Sequence, residues 1–274
     1  MGNFVKALIL GIVEGITEWL PVSSTGHLIL VDNLIHMETS TNFKTMFEVV
    51  IQLGAILAVC VLYFRKLNPF SRYKNDMQKR RTWILWAKVL VATIPAAVLG
   101  FLFDDAIDRV MGKPVFISLM LIVFGILFIV VENKTADRSP VVRKLGDIDY
   151  RLALIIGLFQ VIAMFLPGTS RSGITIVGGL LLGMARPVIA EFTFFMAIPV
   201  MFGASFLKLF KFGLVFTMGE IGLLLTGFIT AFVVSMITIR FFVHFIKGHD
   251  FKPFGYYRIM VGMFAFLYFL LWAH

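Results

Sequence analysis

Segment 14–27 combines side chains that can do chemistry with a stretch apolar enough for a membrane. Glu14 and Glu18 lie four residues apart, so a helix carries both carboxylates on one face. Pro21 ends that helix, because its ring clashes with the preceding turn and it has no N–H to donate. Any of three hydroxyl residues can then cap a second helix, whose free N–H groups favour an anion: Ser23, Ser24 and Thr25. The segment predicts a reaction site at a break between two helices.

Ionisable side chains at membrane depth are costly and usually mark functional sites. Glu14 and Glu18 are therefore expected to bind a divalent metal or to act as an acid and base, rather than to make a buried structural contact. His27 follows Ser24 by three residues, which predicts an imidazole close to that hydroxyl, as in a nucleophile with its general base. The alternative is that Ser24 caps the helix and binds phosphate, while His27 activates water.

A second break at 167–173 supplies a positive charge, since segment 14–27 contains no lysine or arginine. Arg171 lies in an otherwise uncharged stretch, and its planar guanidinium can hold two phosphate oxygens at once. We predict a phosphate site built from both breaks: Ser23, Thr25, Gly26, Ser170, Arg171, Ser172, Gly173 and Thr175. The predicted catalytic residues are Glu18, Ser24, His27 and Arg171, and the predicted metal ligands are Glu14 and Glu18.

The composition places these residues in an integral membrane protein. The chain is 59% hydrophobic and only 15% charged, against about 25% charged residues in soluble domains. The net charge of +9 comes from short basic runs between apolar segments, which is the positive-inside pattern and not that of a nucleic-acid-binding protein. Cys60 is the single cysteine, so a disulfide framework and a thiol metal site are both excluded.

Apolar segments of membrane length predict an all-α polytopic fold. Two shorter segments are broken in the middle and are read as re-entrant helix pairs: 4–20 with 25–35, and 151–166 with 174–184. Six complete spans are expected at about 46–64, 83–103, 115–131, 190–207, 220–245 and 255–272.

The basic loops set the expected orientation. The loop 65–81 is the most basic and should be cytoplasmic, together with 132–150 and the link 247–258. The acidic segment 104–108, expected to be a turn, should face outward with both chain termini. Lys208 and Lys211 remain outside, which is an exception to this pattern.

The two breaks are related in sequence. Residues 11–26 align with 157–172 without a gap, so that Pro21 falls on Pro167 and Ser24 on Ser170. Each break precedes three spans, an odd number, so the second half should be inverted relative to the first. We predict one membrane domain, 1–274, with inverted halves of about 1–145 and 146–274 and a site between them.

Three stretches closely resemble the bacterial undecaprenyl-diphosphate phosphatases of the bacitracin-resistance type. They are EGITEWLPVSSTGH at 14–27, FEVVIQLG at 47–54 and PGTSRSG at 167–173. The first is long and chemically mixed, which makes it very specific, and the resemblance covers essentially the whole chain.

The resemblance implies an inner-membrane enzyme that removes the terminal phosphate of undecaprenyl diphosphate and recycles the lipid carrier for peptidoglycan synthesis. It also implies bacitracin resistance, a divalent cation (Mg²⁺ or Ca²⁺) and a site reached from the outer face. The family's functional positions fall on Glu14, Glu18, Ser24, His27 and Arg171.

The rival interpretation is a secondary transporter or flippase of a phosphorylated lipid or small anion, because inverted repeats and broken helices are transporter architecture. A structural scaffold would leave the polar breaks unexplained. The expected partners are the polyprenyl diphosphate and membrane lipid, without nucleic acid. The sequence allows a homodimer but does not fix the oligomeric state.

Overall fold

The structure, a computed structural model, describes residues 2–111, 114–212 and 216–271, without the side chains at 101, 104–111 and 211–212. Described residues form eleven α-helices and one short 3₁₀ turn. The helices are α1 Asn3–Thr17, α2 Ser24–Ile35, α3 Thr41–Leu62, α4 Phe64–Leu67, α5 Asp76–Met111, α6 Pro114–Thr135, α7 Tyr150–Phe165, α8 Arg171–Leu181, α9 Arg186–Phe212, α10 Met218–Phe245 and α11 Lys252–Leu271. The all-α expectation is confirmed for this part of the chain.

Six helices are long and apolar enough to cross a membrane, which confirms a polytopic membrane protein. They are Thr41–Leu62, Asp76–Gly100, Pro114–Thr135, Arg186–Phe210, Met218–Phe245 and Lys252–Leu271. These bounds overlap all six spans predicted from the sequence. Large side chains such as Leu90, Val123 and Ile229 remain exposed on their surfaces, as suits helices that face lipid.

The two broken segments form hairpins whose outer ends meet. In the first, Lys6 Nζ at the start of α1 donates to the His36 carbonyl after α2, at 2.7 Å. In the second, the backbone N–H of Val142, ahead of α7, donates to the Gly183 carbonyl after α8, at 3.1 Å. The start and the end of each broken segment therefore lie at the same end of the bundle.

Glycines bring the hairpins against the long helices. A Cβ on Gly11 would lie 2.7 Å from the Gly227 carbonyl oxygen of α10, and one on Gly157 only 2.2 Å from that of Ala92 in α5. Such distances are shorter than a side chain allows, so glycine is what permits the close helix approach. The packing fixes α1, which carries Glu14, and α7, which leads into the second break.

Two expectations about the loops were wrong. The segment 104–108 continues α5 as helix beyond Phe103, whose φ of −119° marks a kink, and is not a turn. Its acidic side chains lie outside the described residues. Arg258, assigned to the link 247–258, lies inside α11 and is fully buried. Helix α11 begins at Lys252 with Pro253 in its first turn, where the missing N–H of proline leaves no hydrogen bond unmade.

Candidate active site

The two breaks meet in the interior of the bundle. We call residues 18–23 and 166–170 the paired breaks, since each joins the two helices of one hairpin. The Ser172 hydroxyl at the start of α8 reaches the Leu20 carbonyl of the first break, at 3.5 Å. Segments far apart in sequence thus form one polar region among apolar helices.

Glu18 joins the predicted nucleophile to the predicted phosphate-binding arginine. The Ser24 hydroxyl donates to Glu18 Oε2 at 2.5 Å, and Arg171 Nη2 donates to Glu18 Oε1 at 2.8 Å. Glu18 and Ser24 are each only 7% exposed, so solvent screens these contacts little. A carboxylate held in this way can accept the proton of the serine when its oxygen attacks an electrophile.

Ser23 and Ser170 start the two inner helices in the same unusual conformation. Their φ angles are 75° and 74°, in the left-handed region that residues with a Cβ rarely adopt. Each side chain accepts a hydrogen bond from a glycine N–H three residues later, at 3.4 Å from Gly26 and 3.1 Å from Gly173. Both serines are therefore helix caps, and such strain is typical of functional sites.

The first amides of both inner helices have no hydrogen-bond acceptor among the described residues. They are the backbone N–H groups of Ser24, Thr25, Arg171 and Ser172. Free N–H groups at helix starts attract anions, with help from the positive end of each helix dipole. This supports the predicted phosphate site, although Gly26 and Gly173 give their N–H groups to the caps instead.

The structure pairs the residues of the two breaks one position differently from the sequence alignment. The sequence alignment places Ser24 on Ser170, whereas the shared cap geometry pairs Ser23 with Ser170. After the proline the cap geometry departs from the ungapped alignment by one residue, because Ser23 lies two positions after Pro21 and Ser170 three positions after Pro167. In the corrected pairing, Ser24 and Arg171 occupy equivalent first positions of α2 and α8.

The sequence analysis predicts that His27 lies close to the Ser24 hydroxyl, but the described structure shows no hydrogen bond between them. Its Nδ1 lies 2.8 Å from the Ser23 carbonyl oxygen, one turn earlier in the chain, and its Nε2 lies 2.9 Å from the Tyr257 hydroxyl of α11. Both ring nitrogens thus have partners other than Ser24. The group in contact with the Ser24 hydroxyl is the carboxylate of Glu18 and not the imidazole.

Thr175 is engaged away from the paired breaks. Its hydroxyl contacts the Arg171 and Ser172 carbonyls of its own helix, both at 3.0 Å, and the Thr193 hydroxyl of α9 at 2.9 Å. This arrangement gives no support to the prediction that Thr175 binds phosphate. Its role in this geometry is to fix α8 against α9, where the Thr193 carbonyl also accepts from Arg171 Nη1 at 3.2 Å.

Glu14 is fully buried, and neither carboxylate oxygen has a hydrogen-bond partner among the described residues. It lies within electrostatic range of Glu18, Glu48 and Arg171. A buried carboxylate without donors is strongly destabilising unless something compensates its charge. A hard divalent cation has the chemistry to do so, since it prefers carboxylate oxygens. The described residues contain no group of three or more His, Cys, Asp and Glu side chains placed to form a complete metal site.

Arg258 clamps both breaks from α11, a role that the sequence analysis missed. Its guanidinium donates to the Pro21 carbonyl at 3.1 Å and to the Thr169 and Gly168 carbonyls at 2.9 and 2.7 Å. Among the residues described, it has carbonyl partners and no carboxylate. One signal was available: Arg258 is a lone charge inside a predicted span, where charges usually mark a site.

Comparison with known proteins supports the sequence resemblance. A family model described as bacitracin resistance protein BacA matches residues 7–264. A relative from Enterococcus faecalis named undecaprenyl-diphosphatase is 56% identical over 271 residues, covering 98% of each chain. Relatives with the same name from Desulfitobacterium hafniense and Acetivibrio thermocellus are 56% and 53% identical, covering 96% and 98% of this chain and 95% and 99% of their own.

Proposed function

The chain belongs to the bacitracin resistance protein BacA family, and we propose that the paired breaks are where it acts as an undecaprenyl-diphosphatase. The reaction is hydrolysis of undecaprenyl diphosphate to undecaprenyl phosphate and inorganic phosphate, which returns the lipid carrier to peptidoglycan synthesis. The observation that carries the assignment of the site is the contact chain from Ser24 through Glu18 to Arg171. The names of the relatives do not favour a transporter.

Ser24 is the proposed nucleophile. Its oxygen attacks the terminal phosphorus while its proton passes to Glu18 Oε2, 2.5 Å away. The bond from that phosphorus to the bridging oxygen breaks, undecaprenyl phosphate leaves and a phosphoserine remains. Water then attacks the phosphoserine, Ser24 recovers a proton, and inorganic phosphate is released. The alternative is direct attack by water, with Ser24 as a phosphate ligand only.

The terminal phosphate fits between the two inner helices. Arg171 uses two of its five N–H groups on Glu18 and Thr193, which leaves three for phosphate oxygens. The free amides at the starts of α2 and α8 provide further donors on either side. These donors are fixed before the substrate arrives, so they can stabilise the charge that develops on the transferred phosphoryl group.

Glu14 and Glu18 are the proposed ligands of Mg²⁺ or Ca²⁺. The donor set fits such a cation, because Glu14 offers two buried oxygens that lack other partners in the described structure. When bound, the cation would supply positive charge to the phosphoryl oxygens. Without it, Glu14 and Glu18 would be two close, poorly solvated negative charges balanced mainly by Arg171.

The substrate and metal proposals can be separated in one assay. We expect purified protein in detergent to release inorganic phosphate from C55 diphosphate with added Mg²⁺ or Ca²⁺, and to stop after chelation. Phosphate release that survives chelation would reject the cation but keep the phosphatase. A transporter would release none in detergent, since it needs a sealed membrane.

We also propose that the halves are inverted and lie in the bacterial inner membrane. The packing supports this: α1 contacts α10 while its counterpart α7 contacts α5, and Gly11 and Gly157 make the equivalent close approaches. The basic loop between α3 and α5 is the cytoplasmic side by the positive-inside rule. The first hairpin and the active site then open to the outer face, and the second hairpin opens inward.

This topology predicts the labelling of three exposed positions in a Cys60→Ala background. Asn42→Cys should react with a membrane-impermeant maleimide in intact cells, because α3 begins outside. Tyr73→Cys in the basic loop and Val141→Cys beside the second hairpin should react only after permeabilisation; the native side chains are 96% and 82% exposed. Labelling of Val141→Cys in intact cells would reject the inverted arrangement.

A further inference from the structure

We infer that Tyr257 is a positioning residue for His27, so that α11 contributes to the reaction site as well as to the membrane span. The Tyr257 hydroxyl lies 2.9 Å from His27 Nε2, and the two rings stack with an interplanar angle of 4° and centroids 5.6 Å apart. The residues are 230 positions apart in sequence. This inference rests on the proposed function, because it assigns a role within the same site.

The hydrogen bonds of His27 define its tautomer. The Ser23 carbonyl oxygen, 2.8 Å from Nδ1, can only accept, so Nδ1 carries a proton. Burial of the imidazole, and then the nearby buried charge of Arg258, disfavour a positive charge on His27. In the neutral imidazole with this tautomer, Nε2 presents its lone pair and the Tyr257 hydroxyl donates to it.

The same contacts tie His27 to the nucleophile. The Ser23 carbonyl accepts from the His27 ring and also from the His27 backbone N–H, at 3.2 Å. Ser23 is the residue held at a φ of 75°, and Ser24 follows it directly. Tyr257 orients the imidazole that donates to the Ser23 carbonyl. The Tyr257 hydroxyl therefore helps to fix the backbone at Ser23 and, with it, the orientation of Ser24.

Helix α11 supports this arrangement at the next residue too. Arg258 donates to Pro21 in the first break and to Gly168 and Thr169 in the second. Two consecutive residues of one helix therefore hold the imidazole and the backbone of both breaks. Tyr257 itself is 39% exposed, and its hydroxyl has no hydrogen-bond partner besides His27 among the described residues, so the tyrosine is not needed to satisfy another buried group.

Tyr257→Phe tests this inference, because it removes the hydroxyl and keeps the stacked ring. We expect kcat to fall about tenfold, the loss of one positioning hydrogen bond, with KM within about twofold and only a small decrease in the thermal unfolding temperature in detergent. The matched control is Tyr256→Phe, at the exposed neighbouring tyrosine, which should leave kcat unchanged. An unaltered kcat in Tyr257→Phe would overturn the inference.

¹⁵N NMR of histidine-labelled protein gives a readout that does not require activity. The His27 signals, assigned by their absence in His27→Gln, should show a protonated Nδ1 and an unprotonated Nε2. Tyr257→Phe should move the Nε2 signal, and Tyr256→Phe should not. A His27 spectrum that is the same in wild type and Tyr257→Phe would overturn the inference, whatever the kinetics. Failure of wild type to release phosphate would reject the proposed function instead.

Discussion

Replacing Ser24 by alanine should slow phosphate release from undecaprenyl diphosphate by at least about a thousandfold, equivalent to roughly 4 kcal/mol of transition-state stabilisation. The Ser24 oxygen is the only hydroxyl that the described structure places in contact with Glu18. Its loss leaves Glu18 with no nucleophile to deprotonate. The fold should survive, because the cap of α2 is the side chain of Ser23 and not of Ser24.

The rate and the stability of Ser24→Ala need separate measurements, by initial phosphate release and by thermal unfolding in the same detergent. Ser205→Ala is a matched control, since it also removes a buried serine hydroxyl but one that donates to the Val49 carbonyl in α3. The control should retain wild-type activity. A comparable loss in both variants would show a general effect of removing a buried hydroxyl, and near-normal turnover in Ser24→Ala would exclude covalent catalysis by Ser24.

The stereochemistry at phosphorus separates the two mechanisms that a slow Ser24→Ala variant leaves open. With a chiral terminal phosphate and isotopically labelled water, a phosphoserine route has two displacements and gives overall retention. Direct attack by water is one displacement and gives inversion. We expect retention, because the proton acceptor contacts Ser24 directly. Inversion would leave Ser24 as a phosphate ligand and make Glu18 the base for water.

The sequence predicts the location of the site better than its internal connections. Acids, hydroxyls and Arg171 stand out because polar groups are costly within apolar segments, and Pro21 marks the break through its missing N–H. Helix periodicity also placed His27 near Ser24, one turn later. That expectation failed because the Ser24 hydroxyl is directed to Glu18 and the imidazole to the Ser23 carbonyl and Tyr257; periodicity puts two side chains on one helix face but does not fix where their polar atoms point.

The sequence indicates contacts between residues that are far apart in the chain only weakly or not at all. Nothing in the sequence around Tyr257 indicates that its hydroxyl meets His27, because only the packing of α11 brings them together. Arg258 did carry a signal, as a charge inside a span, but the nearby basic residues suggested a loop. The register of the two breaks was also out of reach, since the one-residue difference in the spacing from proline to helix cap is detected only through the matched caps of Ser23 and Ser170.

Arg171→Lys should lower kcat/KM by about 100- to 1,000-fold, although the positive charge is kept. The guanidinium contacts Glu18 at 2.8 Å and the Thr193 carbonyl at 3.2 Å. Its other three N–H groups remain for phosphate oxygens. A lysine ammonium is a single point of charge on a flexible chain. It can approach Glu18 or a phosphate oxygen, but it cannot present a planar pair of donors to phosphate while it holds the carboxylate that serves Ser24.

Arg186→Lys is the matched control for this substitution. Arg186 also holds a carboxylate with two donors, since its Nε and Nη2 contact Glu132 at 3.0 and 2.5 Å, and Glu132 is fully buried. That pair involves neither break, so the control should lower the thermal stability and spare turnover. Equal losses of activity in both variants would point to general destabilisation. Near-normal activity in Arg171→Lys would remove Arg171 from phosphate binding and leave the helix amides as the principal anion donors, because they alone would still face the substrate.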